Sequence, residues 1–92
     1  MTRVFQTPTF KRSVKRLRGE QKAALDAAIR AVLNAPTLGD VKVGDLAGVR
    51  VHKFRDHNHM VLMAYAYSEA DDAITLLALG SHENFYRDLK RG

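Results

Sequence analysis

Two groups of side chains in this sequence have the types and spacing for proton transfer and phosphate chemistry. One is His82, Glu83, Tyr86 and Arg87 near the C-terminus, and the other is Arg50, His52, Lys53 and Arg55, set among Val51 and Phe54. His82 and Tyr86 are four residues apart, so on a helix they project from one face. Cleavage of RNA by its own 2′-hydroxyl needs a base for that hydroxyl, cations for the charge developing on phosphate, and an acid for the departing oxygen. Histidine, with an ordinary pKa of about 6.5, can serve as acid or base. Arginine and lysine stabilise the phosphorane-like transition state electrostatically. Tyrosine can stack on a base or donate a proton. The candidate catalytic residues are therefore His82, Tyr86, Arg55 and His52, with Arg50, Lys53 and Arg87 as candidate RNA contacts.

Each residue has a structural reading beside the chemical one. A histidine after a strand can be a simple hydrogen-bonding group, and Tyr86 beside Phe85 can be core. Tyr65 and Tyr67 are expected to point one inward and one outward, and neither is given a role. His57 and His59 flank Asn58 with no third ligand nearby, so no metal and no other cofactor is expected. The chain lacks a glycine-rich phosphate loop, a nucleophile elbow and paired catalytic carboxylates, which argues against nucleotide hydrolysis and serine chemistry. It has no cysteine, which removes disulfides, thiolate zinc ligands and cysteine nucleophiles.

Charge is unevenly placed. The net charge is +5, but Arg3, Lys11, Arg12, Lys15, Arg16 and Arg18 give the first 18 residues +6 without one acid, leaving −1 for the rest. Such a balance points to an anionic partner. Lys11, Lys15 and Arg18 recur at helical spacing and are candidates for docking RNA phosphates, although a cationic stripe can also be a solvated face.

The elements that must hold these residues can be read from periodicity. The 92 residues, 46% hydrophobic and 27% charged, suit a single domain spanning 1–92. No apolar run approaches the ~18 residues of a membrane span and no signal sequence opens the chain, so a cytoplasmic protein without membrane association is expected. Val4 to Gln6 reads as a strand, and Thr7-Pro8 as a helix start. A helix from about Pro8 to Leu17 carries Phe10, Val14 and Leu17 on one face. A second, from about Glu20 to Leu33, has the stripe Ala24, Leu25, Ala28, Ile29, Val32 and Leu33, completing a hairpin whose apolar face needs a sheet to cover it. Val41 to Leu46 reads as an irregular loop. Strands come next at Val49 to Arg55, Met60 to Tyr67 and Ala73 to Leu79, the last apolar enough to be covered on both faces. Ser81 can cap a final helix over His82 to Lys90. The fold class is α+β, in the order β-α-α-β-β-β-α, with a small antiparallel sheet packed on an N-terminal helical hairpin.

Laid end to end, these features resemble the RelE/ParE superfamily of type II toxin-antitoxin toxins, the RelE-type branch more than the ParE-type. The resemblance is carried by the Val4-Phe5 strand entering Thr7-Pro8-Thr9-Phe10-Lys11-Arg12, the helical hairpin, the stretch Val49-Arg50-Val51-His52-Lys53-Phe54-Arg55, and above all Leu79-Gly80-Ser81-His82, followed by Glu83-Asn84-Phe85-Tyr86. It implies metal-independent cleavage of mRNA in the ribosomal A site. Family members often place a catalytic His or Arg after the glycine ending the last strand, which is His82 here, with an aromatic one turn later, Tyr86. Basic or imidazole residues of the strand after the hairpin line the same groove. Alternation lets only one of the pairs Arg50/His52 and Lys53/Arg55 face it. An arginine common at the start of the next strand is replaced by His59-Met60, leaving that cation to Arg55 or Arg87. The implied partners are the ribosome with its mRNA and a cognate antitoxin, whose acidic, apolar segment covers the grooves in a hetero-oligomer. Without it the hairpin can form a homodimer. Two alternatives stand beside this: a ParE-like, non-enzymatic inhibitor of DNA gyrase, and a non-catalytic RNA-binding module using the cationic first helix.

Overall fold

A computed structural model describes residues 2–81 and Phe85. The described elements are β1 (Arg3–Gln6), α1 (Pro8–Lys15), α2 (Gly19–Asn34), β2 (Asp40–Val41), a 3-10 turn at Gly44–Leu46, β3 (Arg50–Asp56), β4 (His59–Ser68) and β5 (Ala73–Gly80). They form one five-stranded sheet in the order β1-β5-β4-β3-β2. The α+β class and the helical hairpin are as expected. The sheet is mixed, because β1 adds to β5 in parallel while β2 to β5 are antiparallel. Leaving β1, the chain crosses the sheet through the hairpin to the far edge and meanders back, so it reaches β1 again running the same way.

The hairpin is built locally. Thr7 accepts the Phe10 N–H at 3.1 Å and donates its hydroxyl to the Leu77 carbonyl at 2.7 Å, so one side chain both caps α1 and ties it to β5. Phe10 is 1% exposed. α1 ends at Lys15, two residues short of the expected Leu17, because Arg16 and Leu17 bond back to Ser13 and Val14 in a tightened last turn. In α2 the buried residues are Leu25, Ala28 and Val32. Both helices cover one sheet face, packing on Met63, Tyr65, Ile74 and Leu76. The other face has its own cluster of Val51, Leu62, Ala64, Ala78 and Phe85. β4 is therefore buried on both sides, with Leu62 through Tyr65 at 0% exposure.

Two local expectations need correction. The stretch read as irregular contains β2 and a 3-10 turn, because Asp40 and Val41 pair with Val51 and Arg50. What holds it is remote in sequence: Tyr65 donates its hydroxyl to the Pro36 carbonyl at 2.7 Å and accepts the Gly39 N–H at 2.9 Å. A Cβ on Gly39 would lie 2.8 Å from the Tyr65 ring, so the close approach needs glycine. The tyrosines do not split between faces. Tyr65 is buried in the helix-side cluster and Tyr67 packs against it, since residues two apart on a strand share a face.

The predicted final helix falls largely on residues outside those described. Within them, Phe85 is helical and donates its N–H to the Ser81 carbonyl at 3.0 Å. Among the described residues no helix is long and apolar enough to cross a membrane.

Candidate functional site

Alternation along β3 separates the four cationic and imidazole residues into two pairs with different surroundings. Val51 faces the cluster under Phe85, so Lys53 and Arg55, two and four residues on, emerge on that same face, and both are exposed. Arg50 and His52 share the helix side with Phe54. Arg50 donates to the carbonyls of Thr37 and Gly39 at 3.3 and 3.1 Å, holding the segment that leads into β2. His52 stacks on Phe54 with ring centroids 6.2 Å apart, and partial burial pushes its imidazole below the ordinary range. The structure thus brings Lys53 and Arg55 together and sets Arg50 and His52 apart from them.

β5 reaches the same end of the sheet. Leu62 pairs with Lys53 on one side and Gly80 on the other, and Arg55 pairs with Met60 two residues along β3. Near its end β5 carries a bulge: Ala64 pairs with Ala78 but Tyr65 with Leu76, leaving Leu77 over. The bulge inverts the facing of the residues beyond it, so Leu79 joins the helix-side core along with Ile74 and Leu76. Gly80 turns to the other face, where a Cβ would lie 3.8 Å from the Phe85 ring. Phe85, 1% exposed, packs in the cluster on the face that bears Lys53 and Arg55. The candidates His82, Tyr86 and Arg87 lie outside the described residues.

The cationic helix is also in place. Lys11, Arg12, Lys15, Arg16 and Arg18 line α1 and the turn after it, and Lys11, Arg12, Lys15 and Arg16 are exposed. Arg18 stands at the start of α2, its N–H bonded to the Gln21 side chain at 2.9 Å.

Two features were not read from the sequence, since each joins residues far apart in the chain. One is an exposed contact of His57 with Glu20 at 2.7 Å, tying the β3–β4 turn to α2. The hydrogen bond and charge of Glu20, with Asp56 adding, raise the His57 pKa. The other is a cleft of about 330 Å³ between the end of α1, the start of β4 and the end of β5, floored by Leu17, Val61 and Leu79 and edged by Arg16, His59 and Ser81. Among the described residues no three His, Asp or Glu side chains are grouped to hold a metal ion.

The helical hairpin on a five-stranded sheet can be compared with known families and folds. Residues 4–90 match the model of the family described as ParE-like toxin of type II bacterial toxin-antitoxin system. The chain belongs to that family of toxins. Among solved structures, the intact Escherichia coli RelBE toxin-antitoxin complex is similar at a TM-score of 0.75 and 13% identity, over 90% of this chain and 99% of that one. The isolated E. coli RelE toxin is similar at 0.71 and 14%, over 99% and 98%. The RelBE2 toxin-antitoxin complex from Mycobacterium tuberculosis gives 0.71 and 17%, over 88% and 91%. At such identities these likenesses establish the fold. No curated protein sequence matches significantly.

Proposed function

We propose that this toxin is a ribosome-dependent mRNA endonuclease held inactive by a cognate antitoxin. The observation that carries the reading is the emergence of Lys53 and Arg55 together on the sheet face opposite the helices, at the end where β5 finishes in Gly80-Ser81. Two cations on a firm strand can offset charge developing on a phosphate without reorganising. His82, one residue beyond Ser81, supplies the acid or base, and Tyr86 stacks on a base or gives a proton. No metal or cofactor takes part. Lys11, Lys15, Arg18 and Arg87 dock phosphates and set position without reading sequence. Arg50 and His52 are left out of this machinery, because one anchors the segment before β2 and the other lies against Phe54.

The antitoxin is inferred from family membership and from the fold's likeness to the toxins of two RelBE complexes. An acidic segment with apolar anchors suits this cationic surface. The reading is tested by induced expression in a bacterial host, comparing wild type with His82→Ala and measuring protein synthesis, message ends and the DNA damage response. Arrested synthesis with new cuts in translated messages, and an inert variant, are expected. A DNA damage response with a variant that stays toxic would make DNA gyrase the target instead, as the ParE-type branch implies.

A further inference from the structure

The cleft at the end of the sheet lies on its helix side, beside the cationic end of α1, and its chemistry is selective. Its floor is aliphatic, from Leu17, Val61 and Leu79, while its edges carry the Arg16 guanidinium, the His59 imidazole and the hydroxyls of Ser13 and Ser81. Met60 also lines it, and Met60 pairs directly with Arg55, so the helix-side cleft and the Lys53/Arg55 face meet at the same end of the sheet on its opposite sides. No carboxylate is among the described residues lining it.

We infer that this cleft receives one unpaired nucleobase of the RNA substrate and gives the toxin its base preference, an inference that rests on the RNA-cleavage reading above. A base is a flat apolar body with a polar edge, and unpaired bases are bound by stacking on aromatic or guanidinium planes with hydrogen bonds to that edge. Arg16 and His59 supply the planes, the Ser81 hydroxyl a donor or acceptor, and the Ser13 hydroxyl, which already donates to the Thr9 carbonyl, an acceptor. The volume, about 330 Å³, is at the lower end for ligand clefts and suits a single base better than a helix. Lys15, Arg12 and Lys11 continue from Arg16 along α1 as exposed cations, a path for the flanking phosphates. An aliphatic side chain of a protein partner would fill the floor but shield the guanidinium, imidazole and hydroxyls from water without giving them partners.

The test uses the full chain, isotope-labelled, titrated at low salt with single-stranded hexaribonucleotides of A, C or U and with an abasic hexamer. The base-bearing oligomers are expected to move the Met60, Val61 and Leu79 methyl signals, one base most strongly, while the abasic hexamer moves only signals of α1. His59→Ala, at an exposed position, should weaken the preferred oligomer by about 5- to 20-fold, and His59→Phe should recover most of that loss. Equal shifts from the abasic hexamer, or methyl shifts produced only by the cognate antitoxin, would overturn the inference. Neither readout requires cutting. Base-dependent binding by a chain that cuts no message would defeat the nuclease reading alone, and cutting without base-dependent shifts would defeat the cleft alone.

Discussion

At the scale of single residues, two histidines on one hairpin have pKa values shifted in opposite directions. His52 is lowered by burial beside Phe54, and His57 is raised by Glu20. A proton NMR titration should therefore find His52 titrating below the ordinary value of about 6.5 and His57 above it, with Glu20→Gln returning His57 toward that value. The linkage signs differ. The His57–Glu20 contact contributes stability below the unfolded pKa and loses it as pH rises through the raised folded value. His52 favours the folded state above the unfolded pKa and ceases to as pH falls through its lowered value. Tyr65 makes a larger contribution, since its hydroxyl serves both Pro36 and Gly39. Tyr65→Phe leaves a buried N–H and a carbonyl without that partner, and should cost about 1–3 kcal/mol in urea denaturation. The Tyr65 and His57 contacts were not legible locally. The Tyr65 partners lie 26 and 29 residues away, and Glu20 is 37 from His57.

At the scale of elements, helices announce themselves because one face repeats over several turns, and α2 exceeds the expected Glu20–Leu33 by one residue at each end. Strand β3 was equally readable, and its period of two is what separates Lys53/Arg55 from Arg50/His52. Two devices escaped because their causes are tertiary. β2 has only two residues and exists through its pairing with β3, and the bulge at Leu77 leaves no mark in an almost wholly apolar run. That bulge decides which way Leu79 and Gly80 face, so it belongs to the candidate site as much as to the sheet. Thr7 meets the bulge by donating to the Leu77 carbonyl while capping α1. Thr7→Val, similar in shape, should destabilise by about 1–2 kcal/mol, read from the shift in denaturation midpoint at constant slope. Phe85→Ala opens a cavity over Val51, Leu62, Ala64 and Ala78, and should cost about 3–5 kcal/mol in the same measurement.

At the scale of the whole molecule, charge and fold act together. The excess of cations in the first 18 residues folds into an exposed stripe on α1 that borders the cleft, while Lys53 and Arg55 stand on the other side of the sheet at the same end. Affinity for single-stranded RNA should fall linearly with the logarithm of salt concentration, and Lys11→Ala with Lys15→Ala should lower that slope by about 0.7 for each phosphate no longer neutralised. The fold class could be taken from the sequence because patterning, turn chemistry and capping all agree along the chain. The site was legible only as a set of residue types. Which cations share a face with the end of β5 depends on strand register and a bulge, and composition carries neither.

Cleavage of messages on the ribosome at the Lys53/Arg55 face stands as a proposal. It is tested most directly in a purified translation system by mapping message ends for wild type, Lys53→Ala/Arg55→Ala, and Arg30→Ala as an exposed charge control on α2. Wild type and Arg30→Ala should cut within translated codons and only when ribosomes are present, while the double variant, still folded and still bound by antitoxin, should be slowed by at least about 100-fold. A double variant that cuts at the wild-type rate, or a wild type that leaves every message intact, would contradict the account.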